Sequence, residues 1–189
     1  LAISSCFLTG CVNQHPKDSK KSSQGESVET MLEITDPKEK QAVLNAKAKV
    51  KALSGNPRIV ATSPAVADIC DKLDLDLVGV PKSSVSKIPS RYKKVKKVGL
   101  AMSPDMEIVS SLNPDWILAP SSLETDLKPK FEELKNTEYA FLNLRSVQGM
   151  YRSVQELGEI FGKQQEAEKM TKEFTTFYKS YTKRNKNKK

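Results

Sequence analysis

The feature that most constrains the fold is a set of short apolar runs separated by segments long enough to form helices. Four runs are typical of buried strands; they comprise residues 58–62, 77–80, 116–119 and 139–142. Segments with helical periodicity comprise residues 65–73, 126–134 and 147–161, and a longer segment follows Gly162. Strands that alternate with helices predict an α/β fold with a mostly parallel sheet flanked by helices.

Two Ser-Pro pairs carry signals for the start of a helix. Ser63-Pro64 directly follows the first apolar run, and Ser103-Pro104 follows a strand-like run that ends at Val98-Gly99. A serine hydroxyl can accept a hydrogen bond from the first helical turn, and proline is favoured at the first helical position because it lacks an N–H group. We therefore predict that both serines cap helices, and that both helices begin at one edge of the sheet, where ligands of parallel sheets bind.

Two features near these pairs suggest ligand chemistry. The N–H groups of Ala65 and Val66 would lie at a helix start, where they can bind a carboxylate or a phosphate, although a self-capped helix is an equal alternative. Met102 precedes the second pair, and Glu107, against which it would pack in a hydrophobic staple, is a poor partner. A thioether can ligate haem iron, but methionine more often fills gaps in cores. The residue pattern leaves both roles of Met102 open.

Composition indicates one soluble domain with charged flanks and argues against nucleic-acid binding. The chain has 189 residues and a net charge of +8, but five basic residues lie in the last seven positions, and without them the charge would be +3. Aromatic residues make up only 6% of the sequence, and they are not interleaved with basic ones as in RNA-binding segments. We expect no nucleic-acid partner.

The N-terminal residues resemble a bacterial lipoprotein signal. An apolar run without acidic residues leads to Leu8-Thr9-Gly10-Cys11, which is similar to a lipobox. We predict that residues 1–11 are a partial signal peptide with its lipobox and that Cys11 carries the lipid; a buried apolar N-terminus is the alternative. Residues 12–55 are predicted to form a tether containing a marginal amphipathic helix over 36–53, which either belongs to the tether or docks on the lobe. A lobe over 56–162 and a long helix with a basic end over 163–189 complete the predicted domains.

Catalytic signatures are missing from the sequence. It contains no glycine-rich phosphate loop, no CxxC motif and no histidine cluster. The only histidine, His15, lies in the predicted tether, so a Ser/His/Asp triad cannot form in the lobe. Cys70 lies alone on an apolar stretch and is expected to be a buried free thiol. We expect a binding protein and not an enzyme.

Residues 56 to about 183 resemble the N-terminal lobe of class III substrate-binding proteins, the iron-compound receptors of ABC transporters. The narrower similarity is to the haem-receptor lipoproteins of the iron-regulated surface determinant system. The matching stretches are Arg58-Ile59-Val60, Asp71-Lys72-Leu73-Asp74-Leu75, Val78-Gly79, Pro89-Ser90-Arg91-Tyr92-Lys93, Val98-Gly99, Met102-Ser103-Pro104, Glu107 to Pro114 and Trp116-Ile117-Leu118.

The resemblance implies a role for several residues. Met102 matches the axial methionine ligand of haem iron, and Glu107 matches the acidic residue that docks on the permease. Two segments match the region near the haem propionates; they contain Ser63, Ala65, Val66, Ser84, Val85 and Ser86. The family also has a second lobe that supplies an axial histidine, and we expect this chain to end at the inter-lobe helix without that lobe.

The implied function is capture of haem for iron acquisition. The resemblance implies a truncated, lipid-anchored haem-binding protein on the extracellular face of the bacterial cell membrane. It would receive haem from surface haem carriers and deliver it to an ABC permease and its ATPase. A siderophore or cobalamin receptor lobe is one alternative, and a surface lipoprotein that binds no ligand is the other.

Overall fold

The structure is a computed structural model that describes the backbone of residues 32–186 and the side chains of residues 32–180. Its helices are α1 (Pro37–Lys51), α2 (Pro64–Lys72), α3 (Met106–Ser111), α4 (Glu124–Glu132), α5 (Val147–Phe161) and α6 (Gln164–Lys186). Its strands are β1 (Ile59–Ala61), β2 (Leu77–Val80), β3 (Lys96–Lys97), β4 (Gly99–Leu100), β5 (Ser103–Pro104), β6 (Trp116–Pro120) and β7 (Glu138–Leu142). Short 3₁₀ turns occur at Ser90–Tyr92 and Ser121–Leu123. No helix in this part of the chain has the length and apolar composition of a membrane span.

Five parallel strands form the main sheet in the order β3-β2-β1-β6-β7. The chain adds β2 and β3 on one side of β1 and then returns to add β6 and β7 on the other side. This confirms the predicted α/β fold with a mostly parallel sheet. The strand order reverses between β1 and β6, so the topological switch point lies at that pair. Strand β3 was not predicted, because Lys96 and Lys97 carry no apolar signal.

Side chains of alternating strand residues form two cores, one on each face of the sheet. Ile59 and Ala61 join the core that contains residues of α1, α2, α5 and α6. Val60, between them in sequence, joins the opposite core with residues of α3 and α4. This alternation follows from the period of two in a strand. Gly79 allows close packing on the second face, because a Cβ atom there would lie 2.8 Å from Val98 Cγ1.

Helix α1 docks on the lobe, which decides between the two alternatives left open by its sequence. Val43 and Ala46 are buried in the first core. Across the same interface, the Lys47 ammonium lies 2.7 Å from the Glu159 carboxylate on α5. The helix begins at Asp36, whose side chain accepts a hydrogen bond from the N–H of Lys38. Apolar burial and long-range ion pairs therefore hold a helix whose own sequence is strongly charged.

A buried cluster of charged residues, Glu39, Arg152 and Glu156, lies at the centre of the α1–α5 interface. Glu39 and Glu156 are 8% and 3% exposed. Arg152 donates from Nη2 to Glu39 Oε2 at 2.6 Å, whereas its buried Nε has no partner among the described residues. Burial, followed by a hydrogen bond with Glu39, raises the pKa of Glu156 well above the usual range of a glutamate. Burial at this interface therefore favours the protonated form of the Glu156 carboxyl.

Candidate functional site

Three neighbouring strands deliver three segments to one end of the sheet. Residues 62–66 follow β1, residues 81–86 follow β2 and residues 98–105 follow β3. Because β1, β2 and β3 are parallel and adjacent, these segments meet at the carboxyl ends of the strands. We call these three segments together the carboxyl edge. Parallel sheets bind ligands at this end, particularly beside a switch point.

The first segment is the start of α2, and the predicted cap is confirmed. Ser63 has extended backbone angles, and its Oγ accepts a hydrogen bond from the N–H of Val66 at 3.3 Å. Pro64 takes the first helical position. Because the Val66 N–H is occupied and Val66 is buried, this donor fits the self-capped alternative. Ala65 is exposed, and its N–H has no hydrogen-bond partner among residues 32–180, so it is the donor that faces outward for a ligand.

The second segment is a serine-rich loop. Ser84, Val85 and Ser86 are exposed, and the side chain of Val85 is 95% accessible. The N–H of Ser86 donates to Ser83 Oγ at 3.0 Å, which gives the loop a local turn. The loop therefore presents two hydroxyl groups and one apolar side chain to solvent.

The third segment is a tight hairpin, and it differs from the sequence prediction. Strands β4 and β5 pair antiparallel, with Gly99 opposite Pro104 and Leu100 opposite Ser103. Ala101-Met102 thus forms the two-residue connection between them. Gly99 has φ of 95°, and an added Cβ atom would lie 2.9 Å from the backbone N of Asp105, so the base of the hairpin requires glycine.

The prediction that Ser103 caps a helix is wrong, because Ser103 and Pro104 form strand β5 and pair with β4. Asp105 is the cap: its Oδ1 accepts hydrogen bonds from the N–H groups of Glu107 and Ile108, each at 3.1 Å. The helix therefore begins two residues later than predicted, at Met106. Met102 consequently lies at a hairpin tip and not on the rim of a helix N-terminus.

Backbone hydrogen bonds fasten this hairpin to the sheet. The N–H of Val98 donates to the carbonyl of Val80 on β2 at 2.9 Å, and the N–H of Asp105 donates back to Val98 at 2.8 Å. The N–H of Lys82 donates to the carbonyl of Gly99 at 2.7 Å, which joins the serine loop to the hairpin. Met102 is 74% exposed at the tip of this braced unit, and the burial of its thioether would require a ligand or partner.

The remaining predicted residues divide between the surface and the undescribed terminus. Glu107 is exposed on the first turn of α3, directly after the hairpin. Cys11 lies outside the described residues.

Two features of this end of the sheet were not predicted from the sequence. Leu100 is an exposed apolar residue beside Met102 in the hairpin. Ser121 begins the 3₁₀ turn after β6, across the switch point from Ser63. The signal for Ser121 was available, because Ser121-Ser122 follows the predicted strand over 116–119 after one residue, Pro120.

The chemistry of the carboxyl edge is suited to binding a ligand. Residues 32–186 contain no group of three or more His, Cys, Asp or Glu residues placed to hold a metal ion. Burial raises the pKa of the Cys70 thiol to about 12, so this cysteine is not a poised nucleophile. The carboxyl edge combines exposed apolar side chains and a soft thioether with hydroxyl and N–H donors. Such a surface fits a ligand with an apolar body and anionic groups.

Comparison with known proteins agrees with this architecture. A model of the periplasmic binding protein family matches residues 59–189. This chain belongs to the periplasmic binding protein family. The match covers the five parallel strands of the sheet and the carboxyl edge.

The chain is similar to a haem-uptake protein and to two other solved binding proteins. The high-affinity heme uptake system protein IsdE of Staphylococcus aureus is 36% identical over 117 residues, which are 62% of this chain and 39% of IsdE. The crystal structure of IsdE with heme matches with a TM-score of 0.60 at 34% identity, covering 71% of this chain and 50% of that one. An ABC transporter substrate-binding protein from Listeria monocytogenes gives a TM-score of 0.62 at 44% identity, covering 65% and 46%. The siderophore-binding protein BauB, solved with ferric iron and acinetobactin, gives 0.55 at 25% identity, covering 64% and 45%.

The match therefore covers only part of the length of each relative. This chain spans about two fifths of the length of curated IsdE and about half of the solved structures.

Proposed function

We propose that this chain supplies the haem-binding lobe of a substrate-binding protein that serves an ABC importer. The observation that carries the proposal is the exposed thioether of Met102, held at the tip of a braced hairpin within the carboxyl edge. Further support comes from the 36% sequence identity over 117 residues to IsdE, a heme uptake system protein. In this role the protein captures and hands over its ligand and performs no chemical conversion.

Haem would lie across the carboxyl edge with its iron at Met102. The sulfur atom of Met102 donates to the iron, since thioethers are established axial ligands of haem. Leu100 and Val85 provide apolar surface for the porphyrin. The propionates face the start of α2 and the serine loop. The groups assigned to them are the Ala65 N–H and the hydroxyls of Ser84 and Ser86, whereas the Val66 N–H is occupied by Ser63 Oγ.

The bracing of the hairpin gives Met102 an advantage as a ligand. Gly99, Val98 and Lys82 are held by backbone contacts to the sheet and to each other. Ordering a free loop on binding would cost conformational entropy, whereas this hairpin is ordered beforehand. The second axial ligand is assigned to a histidine of a second lobe, as the family resemblance implies; the one histidine of the sequence, His15, lies outside the described residues.

The other proposed partners follow from the same role. Cys11 would carry the lipid that anchors the protein to the outer face of the cell membrane, where surface haem carriers deliver haem.

Glu107 would dock on the permease that works with the ATPase, because it is exposed on the first turn of α3. Glu107→Lys should weaken docking on permease vesicles, whereas Asp126→Lys on α4 should not. Equal docking by both variants would contradict the role of Glu107.

Hemin titration tests the haem assignment directly. Binding to the unaltered chain should shift the Soret band. Met102→Ala should change the position of that band and weaken binding at least about tenfold, which corresponds to about 1.4 kcal/mol. Leu44→Ala is a matched control, because Leu44 is an exposed apolar residue on α1. An unchanged spectrum and affinity in Met102→Ala would refute the assignment of Met102.

A siderophore receptor is the second candidate, favoured by the similarity to BauB and by the hydroxyl and N–H donors of the carboxyl edge. A ferric siderophore would bind through its oxygen groups, and Met102→Ala would then leave binding unchanged. The same absorbance screen can include cobalamin. A surface lipoprotein without a ligand would bind none of these compounds.

A further inference from the structure

The charge of the lobe is strongly one-sided around β2, β3 and the hairpin. Residues 77–104 contain seven basic residues and no acidic residue. Without these seven and the five basic residues near the C-terminus, the net charge would fall from +8 to −4, so the positive charge is concentrated in these two places. The basic run ends at Asp105, whose carboxylate already accepts two hydrogen bonds from α3.

One of the seven basic residues has a structural role. Arg91 donates from Nη1 to Asp74 at 2.9 Å and from Nη2 to Asp76 at 2.8 Å, so it ties the loop before β3 to the turn before β2. The other six are exposed lysines, and none of them takes part in an ion pair within residues 32–180. We call these six residues the lysine edge: Lys82, Lys87, Lys93, Lys94, Lys96 and Lys97.

The lysine edge is continuous with the candidate ligand site. Strand β3, which contains Lys96 and Lys97, is the outermost strand of the sheet and leads directly into the hairpin that carries Met102. Lys82 begins the serine loop and donates its backbone N–H to Gly99 at the base of the same hairpin. An anion that approaches Met102 from this side therefore meets a row of unpaired positive charges.

A lysine-bearing edge strand also has a simpler use. Lysines on an outer strand discourage pairing with the edge of another sheet. That explanation covers Lys96 and Lys97, but it does not cover Lys82 and Lys87, which lie in the loop after β2. The extension of positive charge from the strand to the loop beside the hairpin points to a ligand.

We propose that the lysine edge steers anionic ligands to the carboxyl edge and so sets the rate of capture. This inference rests on the proposed function, because it needs a ligand with anionic groups such as carboxylates. Fields of one sign raise association rates by about 10-fold to 1000-fold, and the gain falls with ionic strength. Screening is strong beyond about 8 Å at physiological salt. The lysine edge therefore acts on the association rate and hardly on the dissociation rate.

Stopped-flow association of hemin with the 189-residue chain tests the proposal. The edge variant replaces Lys93, Lys94, Lys96 and Lys97 by Gln. The control variant replaces four exposed lysines of α1 and α6 by Gln and has the same net charge; they are Lys38, Lys40, Lys169 and Lys172. Hemin dimethyl ester, which lacks the propionate charges, is the uncharged probe.

At low salt the edge variant should bind hemin about tenfold more slowly than the unaltered chain, with a dissociation rate changed by less than about twofold. The control variant and the dimethyl ester should show much smaller changes, and the difference should vanish at about 0.5 M salt. Equal slowing in the edge and control variants would overturn the inference, because net charge alone would then explain it.

Other outcomes separate the inference from the proposed function. If every form binds hemin at one rate, steering is refuted while haem binding stands. If the edge variant associates normally but no longer sediments with phosphatidylglycerol vesicles, the lysine edge is a membrane-facing surface and steering is refuted. If the unaltered chain does not bind hemin at equilibrium, the proposed function fails and this inference fails with it.

Discussion

Replacing Glu156 by glutamine should remove a large part of the pH dependence of folding stability near neutrality. Glu156 is buried at the α1–α5 interface and hydrogen-bonded to Glu39, and its pKa is raised by that burial. The folded state therefore keeps a proton that the unfolded chain releases above about pH 4.3. Because the folded state binds more protons, the free energy of unfolding falls as the pH rises through this range.

The expected magnitude follows from this difference of one proton. The pKa of Glu156 is about 4.3 in the unfolded chain and is raised to about 9 in the folded state. Each pH unit between these two values lowers the free energy of unfolding by about 1.4 kcal/mol. From pH 5.5 to pH 7.5 the contribution of Glu156 is a loss of about 3 kcal/mol, which is large against a typical total of about 5–15 kcal/mol. Glutamine keeps the shape and a donor toward Glu39 but does not ionise, so the variant should lack this loss.

Urea unfolding at several pH values measures the effect. Trp116 is the only tryptophan, is buried on β6 and packs edge-on against Phe161, so its fluorescence reports on the core. Glu159→Gln on the same helix is the matched control. A hydrogen bond from Lys47 lowers the pKa of Glu159, so its contribution is lost only as the pH falls through the acid range. Its removal should leave the slope from pH 5.5 to 7.5 unchanged.

One result would refute the reasoning about Glu156. If the unaltered chain and Glu156→Gln show parallel curves of unfolding free energy against pH, the proton is not held in the folded state. Arg152 would then be the single positive charge beside the carboxylates of Glu39 and Glu156.

Two further predictions test the hairpin and the packing beside it. Asp105→Ala should destabilise the protein by about 1 kcal/mol through loss of the cap of α3, whereas Ser103→Ala should have almost no effect; the reverse order in thermal unfolding would restore the cap predicted from sequence. Gly79→Ala should cost about 1–3 kcal/mol, because its new methyl group would lie 2.9 Å from Leu112 Cδ1. A Gly79→Ala variant as stable in urea as the unaltered chain would show that Val98 and Leu112 move aside easily.

The fold class was predictable because its signals are local and repeated. Each of the four predicted strands has its apolar run, and the helix over Val147–Phe161 has the predicted bounds. Ser63 caps α2 because it comes directly after a strand that is fixed between two neighbours. Sequence periodicity carries this information without any knowledge of tertiary contacts.

The second Ser-Pro pair shows where local signals fail. Ser103 and Asp105 are both good cap residues, and the sequence alone does not choose between them. The choice depends on Gly99 reversing the chain and on hydrogen bonds from Val98 and Lys82 that join the hairpin to β2 and its loop. These contacts involve strand edges, which a helix-start pattern cannot reveal.

The docking of α1 was unpredictable for a related reason. Its sequence predicted only a marginal amphipathic helix and left its docking open, because the partners of Glu39 and Lys47 lie on α5, more than one hundred residues along the chain. The sequence predicted that Ser63-Pro64 and Ser103-Pro104 lie at one edge of the sheet, and both lie in the carboxyl edge; that a ligand binds there stays a prediction. The chemistry of the candidate site stays a prediction, because the ligand assigned to Met102 comes from resemblance and not from the geometry of the strands.

The hairpin separates the residue that would select a ligand from the residues that hold the lobe together. The side chain of Met102 is largely outside the core, whereas the base at Gly99 is closely packed. A substitution at the tip therefore has almost no cost in folding free energy, while one at the base alters folding. If Met102 binds the ligand as proposed, a single substitution at this protruding turn would change the cargo while the lobe itself need not adapt.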